Sequence, residues 1–389
     1  MKHKVLRSYN IREANEKLVL SILQKNSGVS QSEVVQLTGL KAPTVFRIFT
    51  LLEEAGIIQR STSQPVDSEK KGRRPVYYSI VPSAYYIIGI DLWSRSAAIV
   101  IEDFSGHSVY QHIRPLTPNI HAQESAQVLC DLIGTALSAT NIPTDKILGI
   151  GIAAPGRVDI TTNTVLYYSR IAEMENFPLG EIVERRFSIP VTMHNNAAAV
   201  ALAAYRYGIA HESPSILTIL IRSGVGGSFI HEKKIMVSNG ATTLELGHMS
   251  LHLDGENCEC GGQGCVESYL SEDAFLEEFS QVSQIQDITD LDRLSADEIP
   301  TAVLDIIHQK GTILAQTMRN LYYLFGPHSF LIVTRSNQLS KILATQAETI
   351  LSKDSHLCSG IKLTILTGSY DPAQACRGAA DLVLDDFFG

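Results

Sequence analysis

The feature that most constrains this chain is a short array of one histidine and three cysteines. His248 is followed by Cys258, Cys260 and Cys265 in the spacing H-x9-C-x-C-x4-C, with glycines between the last two cysteines. One imidazole and three thiolates form a complete tetrahedral ligand set, which is typical of structural zinc sites. The alternative is three reduced cysteines near a histidine by chance, but two tight, glycine-flanked sulfur spacings favour a metal. We therefore predict a structural Zn²⁺ ion bound by these four residues.

A metal-anchored loop fixes the residues beside it. Glu245 precedes His248 by three positions, and Glu267 follows Cys265 by two. Carboxylates held in fixed positions suit the recognition of sugar hydroxyl groups, which donate hydrogen bonds to them. The alternative is that both are solvated surface acids.

The same segment carries a specific motif. Glu-x-Gly-His followed by Cys-x-Cys-Gly-x2-Gly-Cys-x-Glu resembles the signature of the ROK family (repressors, open reading frames and sugar kinases). The resemblance covers essentially residues 85–389. Members of this family are bacterial sugar kinases or transcriptional regulators, so other parts of the chain must distinguish the two.

Length and composition indicate a protein of several domains. The chain has 389 residues, of which 44% are hydrophobic and 19% charged, enough for two or three cores. Its longest apolar runs are far shorter than the ~20 residues of a membrane-spanning helix, and its N-terminus lacks the apolar segment of a signal peptide. Cys130, Cys358 and Cys376 are scattered, as expected of buried thiols in a reducing compartment. We predict a cytoplasmic protein without membrane insertion, associated with the nucleoid when bound to DNA.

Charge is distributed unevenly along the chain. Residues 1–82 contain 13 Lys and Arg against 7 Asp and Glu, a net charge of +6, whereas the remainder contains 19 against 34, a net charge of −15. A small basic segment therefore precedes a larger acidic body. This division suggests that the first segment binds a polyanion and that the second is repelled by one.

The basic segment has the pattern of a helix-turn-helix. A first helix is predicted over residues 11–26, where the apolar residues at helical spacing are Ala14, Leu18, Ile22 and Leu23. Ser30 opens a capping box for a second helix, and Thr38-Gly39-Leu40 turns the chain. A third helix has Pro43 in its first turn and an apolar stripe formed by Val45, Ile48, Phe49 and Leu52.

The outward face of the third helix is suited to DNA. It combines groups that read base edges, thymine methyls and phosphates: Lys41, Thr44, Phe46, Arg47 and Thr50. A polar stretch then leads to a basic loop before a strand at residues 76–80, which predicts a hairpin with a basic tip. The cations of that tip are Lys70, Lys71, Arg73 and Arg74. Four cations within five residues favour phosphate contact over a merely solvated face, and residues 1–82 are predicted to be a winged helix-turn-helix.

This layout, including T-G-L-x-x-P-T-V and G-R-R-P, resembles the DNA-binding module of ROK repressors, which ROK kinases lack. It departs from the family pattern at Lys41, where a serine-like cap is expected, and at the bulky Phe46. Operator preference is therefore expected to differ from that of other members.

The acidic body has a mixed α/β pattern that occurs twice. Strand-like segments at residues 85–91, 97–102, 107–113 and 147–152 are followed, from Ser215 onward, by a similar set. We predict two lobes over residues 83–195 and 196–389, with a C-terminal segment that can return to the first lobe. The family resemblance implies the actin-like ATPase fold, in which two ribonuclease-H-like lobes enclose a cleft.

Four positions bear on whether the chain is a kinase. The first phosphate hairpin of ROK kinases reads D-x-G-G-T, whereas residues 91–94 here read Asp-Leu-Trp-Ser. Their N-D-A-N-A motif supplies an aspartate as general base, and the matching residue here is Asn196, an amide without useful basicity. Arg222 stands where the second phosphate loop usually has a glycine, and Thr334-Arg335 replace two glycines on the adenosine side. The resemblance therefore implies a protein that is not an enzyme.

The sugar side of the family pattern is better preserved. Residues that match sugar-contacting positions are Asn195, Glu245, His248, Glu267 and the Pro155-Gly156 turn. Arg170 stands where the kinases carry an asparagine, and Arg157 follows the Pro-Gly turn. These cations suit a phosphorylated or acidic sugar, or they pair with nearby acids such as Asp159 or Glu173. The predicted effector-binding residues are Gly156, Arg170, Asn195, Asn196, Glu245, His248 and Glu267.

Together these features predict a ROK-type transcriptional regulator, a repressor of sugar uptake or catabolism genes. Its partners are double-stranded operator DNA, a sugar or sugar-phosphate effector and further copies of itself, as a homodimer or a dimer of dimers, because helix-turn-helix operators usually have two half-sites. One alternative is a regulator controlled by a protein partner, such as a sugar-transport component, with a vestigial pocket. A less favoured alternative is an active sugar kinase.

Overall fold

The computed structural model describes residues 8–26, 28–61, 75–211, 213–237, 244–354 and 363–388. The four wing-tip cations Lys70, Lys71, Arg73 and Arg74, and the thiol of Cys358, lie outside the described residues.

The N-terminal region consists of three helices and a small antiparallel sheet. The helices are α1 (Ser8–Lys25), α2 (Gln31–Thr38) and α3 (Ala42–Glu54). The strands are β1 (Val29–Ser30), β2 (Ile58–Arg60) and β3 (Tyr77–Ile80), in the order β1-β3-β2. Strands β2 and β3 pair directly after α3, which is the arrangement of a winged helix-turn-helix and confirms that prediction.

Local sequence signals explain the ends of these helices. The Ser30 hydroxyl accepts a hydrogen bond from the Glu33 amide (3.3 Å), and the Glu33 carboxylate accepts one from the Ser30 amide (2.7 Å), which completes the predicted capping box. Gly39 ends α2 with a φ of +67°, a left-handed conformation that favours glycine. The predicted apolar stripe of α3 is buried at all four positions.

The buried face of α1 differs in part from the apolar residues at helical spacing that predicted the helix. Val19, Leu20 and Leu23 are buried, whereas Ala14 is exposed and Leu18 is 42% exposed. The physical reason is that α1 packs against the C-terminal helix as well as against β3, α2 and α3. Because α11 is distant in sequence, the local pattern of α1 does not show which of its faces this contact buries.

The first lobe is built on a five-stranded sheet in the order β11-β7-β4-β5-β6. Its strands are β4 (Tyr86–Leu92), β5 (Ser96–Asp103), β6 (Ser108–Pro115), β7 (Ile147–Ala154) and β11 (Val191–Asn195). A smaller sheet contains β8 (Arg157–Asp159), β9 (Thr164–Tyr167) and β10 (Glu175–Phe177). The helices α4 (Ala122–Thr140) and α5 (Leu179–Phe187) complete the lobe.

The second lobe repeats this plan with the strand order β14-β13-β12-β15-β16. Its strands are β12 (Ser215–Ile221), β13 (Val225–His231), β14 (Lys234–Ile235), β15 (Ser329–Thr334) and β16 (Thr364–Ser369). Its helices are α6 (Asn196–Tyr207), α7 (Val266–Leu270), α8 (Glu272–Val282), α9 (Thr301–Phe325) and α10 (Asn337–Leu351). In both sheets three antiparallel strands are followed by two parallel ones, so the duplicated architecture predicted from the sequence is confirmed.

The C-terminal helix, α11 (Pro372–Phe388), packs across β4, β7 and α6. A Cβ atom at Gly151 would lie 1.9 Å from the Ala379 carbonyl oxygen, and one at Gly378 would lie 1.9 Å from the Ala199 carbonyl oxygen, so these backbones touch only because both residues are glycine. Val383 and Leu384, farther along α11, join the buried core of the N-terminal region. We propose three domains, which comprise residues 1–82, 83–195 and 196–389. The last helix, α11, packs on the first lobe.

None of the helices in the described part of the chain combines the length and hydrophobicity that a membrane span requires.

Candidate functional site

A cavity of about 480 Å³ lies between the two lobes, within the size range of small-molecule sites. All seven residues predicted to bind an effector line it: Gly156, Arg170, Asn195, Asn196, Glu245, His248 and Glu267. Aromatic and apolar side chains complete the wall, among them Tyr167, Tyr168 and Leu244. The fold therefore brings together side chains that are separated by more than a hundred positions in the sequence.

Asn195 and Gly156 form one corner of the cavity. Asn195 caps the N-terminus of α6, where its Oδ1 accepts a hydrogen bond from the Ala197 amide (2.8 Å), and its Nδ2 donates to the Gly156 carbonyl. Gly156 has a φ of +70°, and a Cβ there would lie 2.2 Å from the Tyr167 carbonyl oxygen. This corner therefore requires both the asparagine and the glycine.

Asn196 is held as a hydrogen-bond donor. Its Nδ2 lies 2.6 Å from Asp91 Oδ1 and 3.1 Å from the carbonyl oxygens of Leu92 and Ala153. The side chain is buried, and an aspartate at this position would have no proton to give to these three acceptors. Asn196 is therefore a structural part of the cavity floor as well as a poor general base.

Glu267 and Glu245 lie on either side of the predicted metal ligands. Glu267 is in the first turn of α7, and its Oε2 accepts a hydrogen bond from the Val225 amide (2.8 Å). Glu245 lines the cavity wall with an exposed side chain, and partial desolvation there raises the pKa of its carboxyl group. The Glu267 carboxylate is therefore held in a fixed position, and the Glu245 carboxylate lines the same cavity.

The four predicted metal ligands lie together, with ligand atoms that are all within 4.8 Å of one another. His248 Nδ1 is 3.6 Å from Cys258 Sγ, and Cys260 Sγ is 3.7 Å from Cys265 Sγ. A tetrahedral ion with Zn–S bonds of about 2.3 Å and Zn–N bonds of about 2.0 Å has edges of roughly 3.5 to 3.8 Å between ligand atoms. The donor set and its spacing therefore fit a metal ion.

Arg170 lines the cavity but already has a partner. Its guanidinium donates to Asp273 of α8, and the other oxygen of Asp273 accepts from Arg95 at 2.9 Å. The alternative that Arg170 pairs with an acid is thus correct in kind, although the acid is Asp273 rather than Asp159 or Glu173. This ion pair joins the two lobes. It also uses the guanidinium of Arg170, which we expected to bind the ligand.

The opposite end of the cleft is closed by side chains that bind one another. The Trp93 indole N–H donates to Ser223 Oγ (2.6 Å), and the Arg335 guanidinium lies 5.3 Å from the Trp93 ring. Arg335 in turn donates to both Glu272 and Asp287, at 2.9 to 3.2 Å. Trp93 and Arg335 stand where the ROK kinase pattern has glycines. In the structure, their contacts also link the two lobes.

Burial and hydrogen bonding shift the two acids of this closed end in opposite directions. Burial raises the pKa of Glu272, and Arg335 opposes that shift. For Asp287, burial also acts upward, but hydrogen bonds from Thr289 and Arg335 outweigh it and lower the pKa to about 2. Arg335 therefore compensates a carboxylate that has no exposed surface, because Glu272 is completely buried.

The outward face of α3 presents the predicted DNA-contacting residues. Lys41 and Arg47 are exposed, Phe46 is 62% exposed, and Thr44 and Thr50 are half-buried. Lys41 sits at the N-cap without making a side-chain capping hydrogen bond, as expected for a residue in place of serine. The Thr50 hydroxyl donates to the Phe46 carbonyl at 3.1 Å.

Comparison with known proteins agrees with both parts of this description. Residues 87–386 match the ROK family, and residues 12–59 match winged helix-turn-helix DNA-binding domains. This chain is a member of the ROK family. The family resemblance seen in the sequence is thereby confirmed.

Three proteins illustrate where this ROK chain stands. The xylose repressor of Bacillus subtilis (strain 168) is 25% identical over 384 residues, with 97% of this chain and 96% of the repressor covered. The crystal structure of a ROK family transcriptional regulator, a homologue of the E. coli MLC protein, has a TM-score of 0.81 at 22% identity and covers 97% of both chains. A ROK family glucokinase from Streptomyces griseus, solved with glucose and AMPPNP, has a TM-score of 0.63 at 23% identity and covers 76% of this chain and 98% of the glucokinase. The body has the kinase-like fold, and the regulator matches the full length.

Sequence reasoning missed several residues of the ROK body that complete the site. Tyr370 donates its hydroxyl to Asp91, and Asp273 binds two arginines, yet neither residue belongs to a motif. Ser169 donates to Glu259 at 2.8 Å and so joins the first lobe to the thiol loop.

Proposed function

We propose that this ROK protein is a sugar-responsive transcriptional repressor whose body binds a sugar or sugar phosphate without phosphorylating it. The observation that carries the proposal is the combination, in one chain, of a winged helix-turn-helix with a cavity whose catalytic position is held by Asn196. The name of the Bacillus subtilis relative, a xylose repressor that aligns over nearly the whole length, supports the same function.

The N-terminal module supplies the contact with operator DNA. The α3 face of Lys41, Thr44, Phe46, Arg47 and Thr50 is the proposed base-reading surface, and Lys70, Lys71, Arg73 and Arg74 of the wing are proposed phosphate contacts. Phe46 offers an apolar group to a thymine methyl. Because such modules usually read two half-sites, we propose a homodimer or a dimer of dimers as the binding species.

The cavity supplies the effector site. Acceptors and donors from Asn195, Glu245 and Glu267 suit the hydroxyl groups of a sugar. His248 directs Nδ1 toward Cys258, which leaves Nε2 available to a ligand. We propose that His248, Cys258, Cys260 and Cys265 hold a structural Zn²⁺ ion, which would fix the wall of the cavity rather than act on the ligand. We also propose a cytoplasmic location, which operator binding and reduced thiols support.

The test begins with an operator isolated from random double-stranded DNA by repeated selection with the purified protein. Fluorescence anisotropy then compares wild type, Arg47→Ala and Arg73→Ala over a range of salt concentrations. Arg47→Ala is expected to weaken the selected site by about 1–3 kcal/mol and to relax base preference. Arg73→Ala is expected to weaken all DNA alike and to reduce the salt slope by about one unit.

Arg293→Ala provides the control, because Arg293 is an exposed arginine of the second lobe, away from α3. Each titration is repeated with a panel of sugars and sugar phosphates, and at least one of them should change operator affinity. Equal DNA binding by wild type, Arg47→Ala and Arg73→Ala would remove the DNA-contact assignment. ATP-dependent phosphorylation of any sugar would show that the protein is a sugar kinase and would contradict the proposed function.

A further inference from the structure

Arg222 occupies an unusual position between the lobes. It lies in the turn between β12 and β13 and is 4% exposed. Its guanidinium carbon is 4.3 Å from the centre of the Tyr370 ring and 5.0 Å from that of Trp93, and its Nη1 is 3.5 Å from Asp91 Oδ2. The cation is therefore held between two aromatic rings, with a carboxylate that balances its charge.

The hydrogen-bonding capacity of Arg222 is unused. A guanidinium has five N–H donors, but the structure gives that of Arg222 no hydrogen-bond partner among the described residues, and Nη1 is buried without one. Arg335, the other arginine against Trp93, donates to both Glu272 and Asp287. Stacking uses only the faces of the guanidinium plane, so the donors at its edge remain free. Buried donors without partners are costly, and a ligand relieves that cost.

Arg222 lines the same cavity as the proposed sugar-contacting residues, together with Ser223, Gly224 and Asn196. Asp91 forms an ion pair with Arg222 at 3.5 Å but no hydrogen bond, and its oxygens instead accept hydrogen bonds from Asn196 and Tyr370. Of the two cations that the sequence offered to an acidic ligand, Arg170 is bound to Asp273, and Arg157 lines the cavity with a solvent-exposed side chain. Arg222 is thus the buried cation of this cavity whose guanidinium has no hydrogen-bond partner among the described residues.

We propose that Arg222 binds an oxyanion carried by the effector, so that the ligand is a phosphorylated or carboxylated sugar whose anionic group lies at the Asn196 end of the cavity. This inference rests on the proposed function of the cavity as a sugar site. The fork of a guanidinium matches two oxygens of a phosphate or a carboxylate, and the enclosed position removes competition from water. Asp91, Tyr370 and Trp93 hold the fork in place before the ligand arrives.

The chain itself provides a reporter for this site. Trp93 is its single tryptophan, and Arg222 is stacked near the indole ring. Tryptophan emission and calorimetry are measured while wild type is titrated with xylose, glucose and N-acetylglucosamine, each beside its terminal phosphate ester, and with glucuronate and inorganic phosphate. At least one phosphate ester, or glucuronate, is expected to bind about tenfold or more tightly than its neutral parent and to change the emission. Comparing esters with glucuronate distinguishes a phosphate from a carboxylate.

Two matched substitutions then identify the residue responsible. Arg222→Met keeps the length of the side chain but removes the donors, and is expected to reduce affinity for the anionic sugar by about tenfold to a hundredfold while leaving the neutral parent within about threefold. Arg335→Met removes the other arginine against Trp93, which already has partners, and should keep the preference for the anion. Arg222→Lys keeps the charge without the fork and should give an intermediate affinity.

The outcomes separate this inference from the function on which it rests. If a neutral sugar binds at least as tightly as its ester and as glucuronate, or if Arg222→Met keeps the preference, the role of Arg222 is wrong and the sugar site stands. If no member of the panel binds, the sugar site itself is wrong. Should Arg222→Met fail to fold, the wild-type comparison and Arg222→Lys decide.

Discussion

The two ends of the cleft between the lobes differ in what their polar side chains bind. At the His248 end, Asn195 and Glu267 are positioned by hydrogen bonds to the backbone, and with Glu245 they face an open cavity. At the Trp93 end, Arg335 binds two acids and the indole binds Ser223, so the side chains bind one another. The His248 end therefore offers polar groups to sugar hydroxyls, whereas the Trp93 end is held together by contacts between side chains, beside the donors of Arg222 that we propose for an anion.

This difference shows how a kinase-like fold can bind a ligand without transferring phosphate. Phosphoryl transfer needs a bound nucleotide and a base near the acceptor hydroxyl. Here Asn196 stands at the position of the base, and Trp93 and Arg335 stand where the kinase pattern has glycines of the nucleotide loops. Recognition of sugar hydroxyls needs fixed donors and acceptors, and these lie at the His248 end. Substitutions at the two ends should therefore have separable effects on stability and on binding.

The largest effect is expected from breaking the thiol cluster. Cys260→Ser should lose the one zinc ion that we expect per chain and lower the free energy of unfolding, because structural zinc contributes on the order of 10 kcal/mol in small zinc domains. Sugar affinity should fall with it, since the cluster positions His248 and Glu267. Metal analysis, thermal melting and calorimetry check these three results.

Cys130→Ala is the matched control, because Cys130 is buried in α4 and lies outside the cluster. It should keep full zinc content and sugar affinity. Stoichiometric metal in Cys260→Ser would mean that the ligand set is wrong and that the His248 end is held by other forces.

A smaller effect is expected from opening the closed end. Arg335→Met leaves the fully buried Glu272 without its cation and should lower the free energy of unfolding by about 3–5 kcal/mol at neutral pH. Burial already raises the pKa of Glu272, and loss of Arg335 raises it further. A carboxyl group with a raised pKa in the folded state favours folding at low pH and loses that contribution as pH rises, so the deficit should be smaller at pH 5 than at pH 8.

The two ends of the cleft are compared most directly when Glu267→Gln and Arg335→Met are measured under the same conditions. Glu267→Gln can still accept the Val225 hydrogen bond, so it should change stability by less than about 1 kcal/mol while weakening sugar binding. Arg335→Met should do the reverse. Chemical denaturation at both pH values and calorimetry would show it, and a common loss in both variants would mean that the two ends are not separable.

The smallest effect on phosphoryl transfer, namely none, is expected from restoring a carboxylate at the catalytic position. Asn196→Asp places an acid beside Asp91, at the 2.6 Å contact now made by an amide N–H, and should cost about 2–4 kcal/mol of stability. It should show no sugar phosphorylation, because the nucleotide end stays closed. Asn163→Asp is the control: it loses one amide hydrogen bond to the Val191 carbonyl. Measurable sugar phosphorylation or micromolar ATP binding, by wild type or by Asn196→Asp, would contradict the conclusion that the Trp93 end is closed to a nucleotide.

Much of this architecture could be predicted from the sequence because its signals are local. The capping box at Ser30, the strand periodicity and the cysteine spacing each act within a few residues. The cavity-lining positions of Asn195, Glu245 and Glu267 were predicted by their match to a family motif. The cluster of His248 with three cysteines was visible because its ligands are within 18 residues of one another.

The pairings between distant residues could not be predicted in this way. Asp273 binds Arg170, and Arg222 stacks on Tyr370, but nothing in the local pattern around either acid or ring indicates its partner. The buried face of α1 differs from its local apolar pattern for the same reason, since its neighbour α11 lies at the other end of the described chain. The partners of a charged or packed side chain depend on the tertiary structure, and the local periodicity of the sequence carries no information about them.

The packing of α11 also bears on the order in which the protein becomes complete during synthesis. Ala380, Val383 and Leu384 belong to the same buried cluster as Phe49 and Ile58 of the DNA-binding module. Ribosomes make domains from the N-terminus onward, and most domains fold as units when they emerge. Here the DNA-binding module, which precedes α11 in the chain, completes its core only when that helix has been made. A nascent chain therefore carries an incomplete DNA-binding module until the sensing body has been translated.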